Sequence, residues 1–289
     1  MADFTERFVP TADGLTIFLR DYEPVQPVTG LPVLCLHGLT RNSKDFEPIA
    51  GRIAALGRRV LAMDVRGRGR SDYDSQPLRY TPATYAGDVI AALNRLGVPR
   101  AVFIGTSMGG LITLIVAAVE KARVAGVVLN DVGPILNPAA LMRIAGYVGK
   151  IDPQPNWASA AAVTKSTYGA SYPDRDDAFW ATLVRRTWKQ LPDGRIGLDY
   201  DPAIATVFTQ PQGAAPPDLM GLFTQGFGPV PTLLVRGALS DLVLQDAVVA
   251  MRQAKPDLDT VDVPNVGHAP VLDEPIAWEA LIQFLAKVP

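Results

Sequence analysis

Short apolar runs alternate with amphipathic stretches along most of the chain. Val33-Leu34-Cys35-Leu36, Val60-Leu61-Ala62-Met63 and Ala101-Val102-Phe103-Ile104 are apolar throughout, and 124–129, 230–237 and 260–263 have the same strand-like length. A run without polar alternation fits a strand covered on both faces, which belongs to a parallel sheet. Between these runs, helical spacing predicts helices over 45–56 (Phe46, Ile49, Ile53, Leu56) and 82–96 (Tyr85, Val89, Leu93, Leu96), stopped by Gly57 and Gly97, and again over 246–254 and 276–287. Ahead of them, 6–22 reads as two extended segments joined at Thr11-Ala12-Asp13-Gly14, a hairpin at a sheet edge. The whole is an α/β pattern: a doubly wound, mostly parallel sheet with helices on both faces.

The alternation breaks off over 134–227. Helical stretches at 139–146, 158–167 and 177–188 are separated by proline-rich turns, and the segment holds Trp157, Trp180, Trp188, Tyr168, Tyr172 and Tyr200. We expect a core domain made of 1–133 and 228–289, and a helical cap or lid over 134–227 inserted between two late strands. Its aromatic and apolar side chains would pack together and line a substrate pocket.

One junction carries chemistry. The strand 101–104 enters Gly105-Thr106-Ser107-Met108-Gly109 and leaves directly as a helical pattern (Leu111, Leu114, Ile115, Ala118). A serine at so sharp a turn needs a strained backbone, and glycines on either side remove the β-carbons that would collide. The turn would lift the Ser107 hydroxyl to the end of the strand, at the electropositive start of a helix.

A serine hydroxyl needs a base, and the chain has two histidines. His268, in Asn265-Val266-Gly267-His268-Ala269-Pro270 after the last strand, is the expected base, in a loop free to swing over the sheet edge. His37, at the end of an early strand beside Gly38, is read as part of an oxyanion turn next to the pocket. Two acids follow strands: Asp241 is preferred for its place in chain order, and Asp131, closing Val127-Val128-Leu129-Asn130, is the alternative. The amides of Leu39 and Met108 are the expected oxyanion hole.

These motifs together resemble the α/β-hydrolase superfamily over nearly the whole chain: the His37-Gly38 turn, Asp64-Val65-Arg66-Gly67-Arg68-Gly69-Arg70-Ser71, the Ser107 elbow, Asp241 and Gly267-His268. The segment 64–71 and the elbow are similar to those of enol-lactonases, carboxylesterases and the carbon-carbon bond hydrolases of meta-cleavage pathways. The resemblance implies a serine hydrolase of a small ester or lactone acting through an acyl-enzyme. A carbon-carbon bond hydrolase and a catalytically silent ligand-binding fold are the alternatives. Haloalkane dehalogenases and related epoxide hydrolases use aspartate at the elbow, so Ser107 argues against both. The turn His37-Gly38-Leu39-Thr40 lacks the His-Gly-Gly-Gly of one lipase group and the His-Gly-x-Gly-Pro-Gly of meta-cleavage hydrolases.

Composition narrows the partners. With 48% apolar and 19% charged residues the chain can build a substantial core, and a net charge of -2 with one short arginine cluster (Arg66, Arg68, Arg70) gives no phosphate-backbone footprint. No basic-then-apolar leader and no membrane-length apolar run occur, so the expectation is a cytoplasmic protein acting on a small molecule, without nucleic acid or membrane, as a monomer or homodimer. Neither metal nor cofactor is expected. Cys35 has no partner for an intramolecular disulfide and is assigned to packing. Among the arginines, Arg41, Arg143, Arg185 and Arg186 are those a substrate carboxylate could meet, although a solvated surface is the commoner fate.

Overall fold

The computed structural model describes residues 3–208 and 218–289. The predicted hairpin is present as β1 (Thr5–Pro10) and β2 (Thr16–Tyr22), paired antiparallel. The alternating section then runs β3 (Val33–Leu36), α1 (Glu47–Ala55), β4 (Val60–Met63), α2 (Pro82–Arg95), β5 (Ala101–Thr106), α3 (Met108–Val119) and β6 (Val124–Asn130). After an insertion it resumes as β9 (Thr232–Gly237), α8 (Gln245–Ala254), β10 (Asp259–Val263) and α9 (Pro275–Lys287).

Eight strands form one sheet in the order β1-β2-β4-β3-β5-β6-β9-β10, parallel from β4 to β10. The uninterrupted apolar runs are explained by burial on both faces. Leu34 and Leu36 of β3 and Phe103 of β5 face the core shared with α2, α3 and α8, while Val33, Cys35, Val102 and Ile104 face the core shared with α1 and α9. Cys35 is buried in that second layer, where burial pushes its thiol pKa up and leaves it a packing residue. The chain order reverses at β3: β4 lies on one side and β5 on the other, so a crevice opens beyond their carboxyl ends.

Between β6 and β9 lie α4 (Pro138–Tyr147), α5 (Trp157–Tyr168), α6 (Asp177–Thr187), β7 (Trp188–Gln190), β8 (Ile196–Leu198) and α7 (Leu219–Phe227), none of which joins the large sheet. Residues 209–217 of the expected cap lie outside the described residues. Two elements were not expected. The β7–β8 hairpin has three-residue strands, too short to display alternation, and is held by a cluster of Ala160, Val184, Trp188 and Ile196. Helix α7 contains Gly221 and Gly226, which weaken its local propensity, yet Phe223 and Phe227 pack into the main core and Gly226 lets α7 approach Ala117 of α3. No helix of the described residues is long and apolar enough to cross a membrane.

Candidate active site

The elbow stands at the reversal point. Ser107 has φ +50°, a left-handed conformation costly for a residue with a side chain. A β-carbon on Gly109 would lie 2.1 Å from the Leu36 carbonyl oxygen, and one on Gly105 would lie 2.6 Å from the Gly109 backbone. Glycine at both positions lets α3 start directly against β3, with its first turn beside the serine.

Ser107 Oγ lies 2.9 Å from His268 Nε2, and His268 Nδ1 lies 2.7 Å from Asp131 Oδ2. An ionised carboxylate only accepts, so Nδ1 carries the imidazole proton and Nε2 is left to accept from the serine hydroxyl. Asp131 is fully buried just after β6, in a left-handed conformation (φ +52°) that aspartate tolerates better than most residues. Its Oδ1 accepts from the Gly237 amide at 2.9 Å, and its Oδ2 also accepts from the Ser240 hydroxyl at 2.6 Å.

Asp241, the expected acid, is elsewhere. Its carboxylate is 46% exposed and forms a two-pronged pair with Arg143, at 2.7 and 2.8 Å. The turn after β9 explains the correction: Ser240 points inward, donating to Asp131 and accepting from the Leu242 and Val243 amides, and so turns the next side chain outward. Asp131 also follows β6, the immediate neighbour of the strand carrying Ser107, whereas β9 is one strand further away.

The His268 loop is not free to swing as expected. The Gly267 amide donates to Ser171 O at 2.7 Å, Tyr172 OH donates to Ala269 O at 2.6 Å, and Asn130 Nδ2 donates to Pro270 O at 2.8 Å. Gly237 allows the close passage, since a β-carbon there would lie 2.3 Å from the Gly267 carbonyl oxygen. The imidazole is therefore held in position by residues on both sides of it.

Met108 begins α3 and Leu39 follows the His37-Gly38 turn; neither amide has an acceptor among the described residues. Gly38 and Leu39 line the same cavity as Ser107, but His37 lies behind it, fully buried. Its Nε2 accepts from the Val65 amide at 3.0 Å and its Nδ1 donates to Gly38 O at 2.7 Å. Burial pushes its pKa down to about 4, so it is neutral and holds the turn. Sequence reasoning missed Arg68, a buried side chain that donates to Leu39 O at 2.9 Å and approaches Met108 Sδ at 3.6 Å, gripping both residues of the amide pair. Ser240 and Tyr172 were missed as well. A lone Ser or Tyr has no local signature when its partner lies about a hundred residues away in sequence.

The cavity above Ser107 is about 80 Å³. Gly38, Arg41 and Phe46 line it from the β3–α1 connection, and Ile144, Tyr147, Tyr168 and Tyr172 line it from the 134–227 insertion. A serine hydrogen-bonded to an imidazole in a partly apolar cavity, next in sequence to one amide without an acceptor and sharing the cavity with the residue that carries another, has the groups that attack on a carbonyl carbon requires.

Residues 33–280 match the alpha/beta hydrolase family model, and the chain belongs to that family. It is 36% identical over 265 residues to a 3-hydroxybutyrate-oligomer hydrolase of Cupriavidus necator, covering 89% of each chain. It is 26% identical over 240 residues to a 2-(acetamidomethylene)succinate hydrolase of Mesorhizobium japonicum, covering 83% of this chain and 82% of the other. Among solved structures, an alpha/beta hydrolase from Novosphingobium aromaticivorans superimposes with a TM-score of 0.92 at 42% identity, over the full length of both chains. Relatives of this extent support an enzyme of the alpha/beta hydrolase class.

Proposed function

We propose that the protein hydrolyses small carboxylic esters through an acyl-enzyme, with Ser107 as nucleophile, His268 as base and then acid, and Asp131 as the group that orients and balances the imidazolium. The observation that carries this reading is the unbroken chain of hydrogen bonds from Ser107 through His268 to buried Asp131. In the first half, Nε2 takes the serine proton as Oγ adds to the ester carbonyl, and the Leu39 and Met108 amides donate to the oxyanion. The imidazolium then returns the proton to the departing alcohol. In the second half, water repeats the attack on the acyl-enzyme, and Ser107 leaves with the proton restored.

The relative that acts on 3-hydroxybutyrate oligomers supports short hydroxyacid esters as the substrate class, and a lactone would be opened by the same steps. Residues 134–227 act in this scheme as a lid, which fits the five residues they contribute to the cavity wall, Arg143, Ile144, Tyr147, Tyr168 and Tyr172. The test is turnover of a panel of p-nitrophenyl acyl esters with Ser107→Ala protein alongside. Activity that falls at least about a thousandfold in the variant supports the reading. Equal rates in both proteins would sink it.

A further inference from the structure

Arg41 is the cation inside the cavity, and half of its guanidinium is unused. The side chain is 14% exposed and lines the cavity with Ser107 and His268. A β-carbon on Gly38 would lie 3.6 Å from Arg41 Cγ and 3.7 Å from Ser107 Cβ, so the arginine stem and the nucleophile both border the space that this glycine leaves open. Arg41 meets Asp45 side-on: Nε donates to both carboxylate oxygens, at 3.0 and 2.8 Å, and Nη2 donates to Oδ1. Nη1 donates to nothing among the described residues. Burial works against the guanidinium charge, but Asp45 outweighs it and keeps the group protonated.

The same chain shows what such an open edge accepts. Arg66, buried under the loop 64–71, meets Asp88 side-on through Nε and Nη2, at 2.7 and 2.6 Å, while its Nη1 donates to Asp74 at 2.8 Å and Asp13 at 2.9 Å. One guanidinium thus holds two further carboxylates beyond the first: Nη1 and Nη2 together fork onto Asp13, at 2.9 and 3.2 Å, and Nη1 also reaches Asp74 by a single bond. In Arg41 the corresponding edge is vacant. The cavity's other arginine, Arg143, is 41% exposed and faces Asp241 at the rim, where solvent weakens any contact it makes.

We propose that the open edge of Arg41 binds a carboxylate of the substrate, so that the preferred ester is one that also bears a free acid group a few bonds from the scissile carbonyl. This rests on the esterase reading for the identity of the scissile bond. It assigns Arg41 to binding and gives Asp45 the part of fixing the guanidinium so that its free edge stays in the cavity.

The experiment compares two matched pairs of esters by kcat/KM. 3-Hydroxybutyryl-3-hydroxybutyrate against its methyl ester places the acid on the alcohol side, and p-nitrophenyl hemisuccinate against p-nitrophenyl butyrate places it on the acyl side. The expected result is a preference of about 10- to 100-fold for the acid in at least one pair, the size of a charge-assisted bond. Arg41→Gln should reduce that preference to about twofold or less. Because that variant leaves Asp45 unpaired in the cavity, Arg41→Gln/Asp45→Asn is run beside it and should show the same loss. Calorimetry of the dimer acid with Ser107→Ala protein adds a readout independent of turnover, and there too Arg41→Gln should weaken binding at least about tenfold. No preference in either pair, or a preference that follows Arg143→Gln and survives both Arg41 variants, overturns the inference while leaving the esterase reading standing. Acid binding that depends on Arg41, without turnover of any ester, would instead support the inference and remove the esterase reading.

Discussion

Replacing Asp131 by Asn removes a charge and also reverses a hydrogen bond. The Gly237 amide donates to Asp131 Oδ1 at 2.9 Å, and a backbone N–H cannot turn away. An asparagine at 131 would therefore keep its oxygen there and present its NH2 group to His268 Nδ1, where the carboxylate oxygen now stands at 2.7 Å. Nδ1 would become an acceptor, the imidazole proton would move to Nε2, and the ring could no longer take the proton of Ser107. The lost charge adds to this. An imidazolium and a carboxylate with centres about 4 Å apart attract by about 4 kcal/mol at an effective dielectric of 20. At 1.36 kcal/mol per decade that is a factor of about 10³ in kcat. With the tautomer effect, Asp131→Asn should lower kcat by about 10³- to 10⁴-fold with KM changed by less than about threefold. Asp241→Asn loses only a solvent-screened pair with Arg143 and should stay within about twofold of the parent. The assay is steady-state hydrolysis of p-nitrophenyl butyrate, with near-UV circular dichroism to confirm that both variants are folded. An Asp131→Asn enzyme retaining more than about a tenth of kcat, or an Asp241→Asn enzyme losing about a hundredfold, would refute the reasoning.

Arg68→Met frees the Leu39 carbonyl and the Met108 side chain; kcat should fall at least about tenfold with KM nearly constant, read in the same assay. Gly109→Ala places a methyl group 2.1 Å from the Leu36 carbonyl oxygen, and the urea midpoint should shift by the equivalent of about 3 kcal/mol, with activity lost as Ser107 moves. His37 sets a pH dependence of stability. Its folded pKa of about 4 lies below the ordinary histidine value of 6.5, so the unfolded chain binds the proton first as pH falls. The stability is whole above pH 6.5 and is lost progressively down to about pH 4, by about 3 kcal/mol. In His37→Gln, whose amide can still accept from Val65 and donate to Gly38, denaturation midpoints should show a shallower slope across that window. An unchanged slope would show that His37 does not titrate this way.

Much of this protein was legible in the order of its residues. The apolar runs from Val33 to Val235 marked the inner parallel strands, because a strand buried on both faces has no polar alternation to hide it. The elbow was legible because Gly105, Ser107 and Gly109 meet a steric requirement that is wholly local, and the two histidines were few enough to sort by position. The β7–β8 hairpin and α7 were not legible, since three-residue strands and a helix carrying two glycines depend on Trp188, Phe223 and Phe227 finding partners far away in the chain. The orienting acid was decided in the same way. Asp131 and Asp241 both follow strands, and nothing local separates them; what separates them is that β6 lies against β5, while the turn after β9 directs Ser240 inward and Asp241 to Arg143. Sequence by itself determined which residue types stand at which strand ends. Only the tertiary structure decided which of those ends meet at His268, because that follows from sheet order and turn geometry, which join residues more than a hundred positions apart.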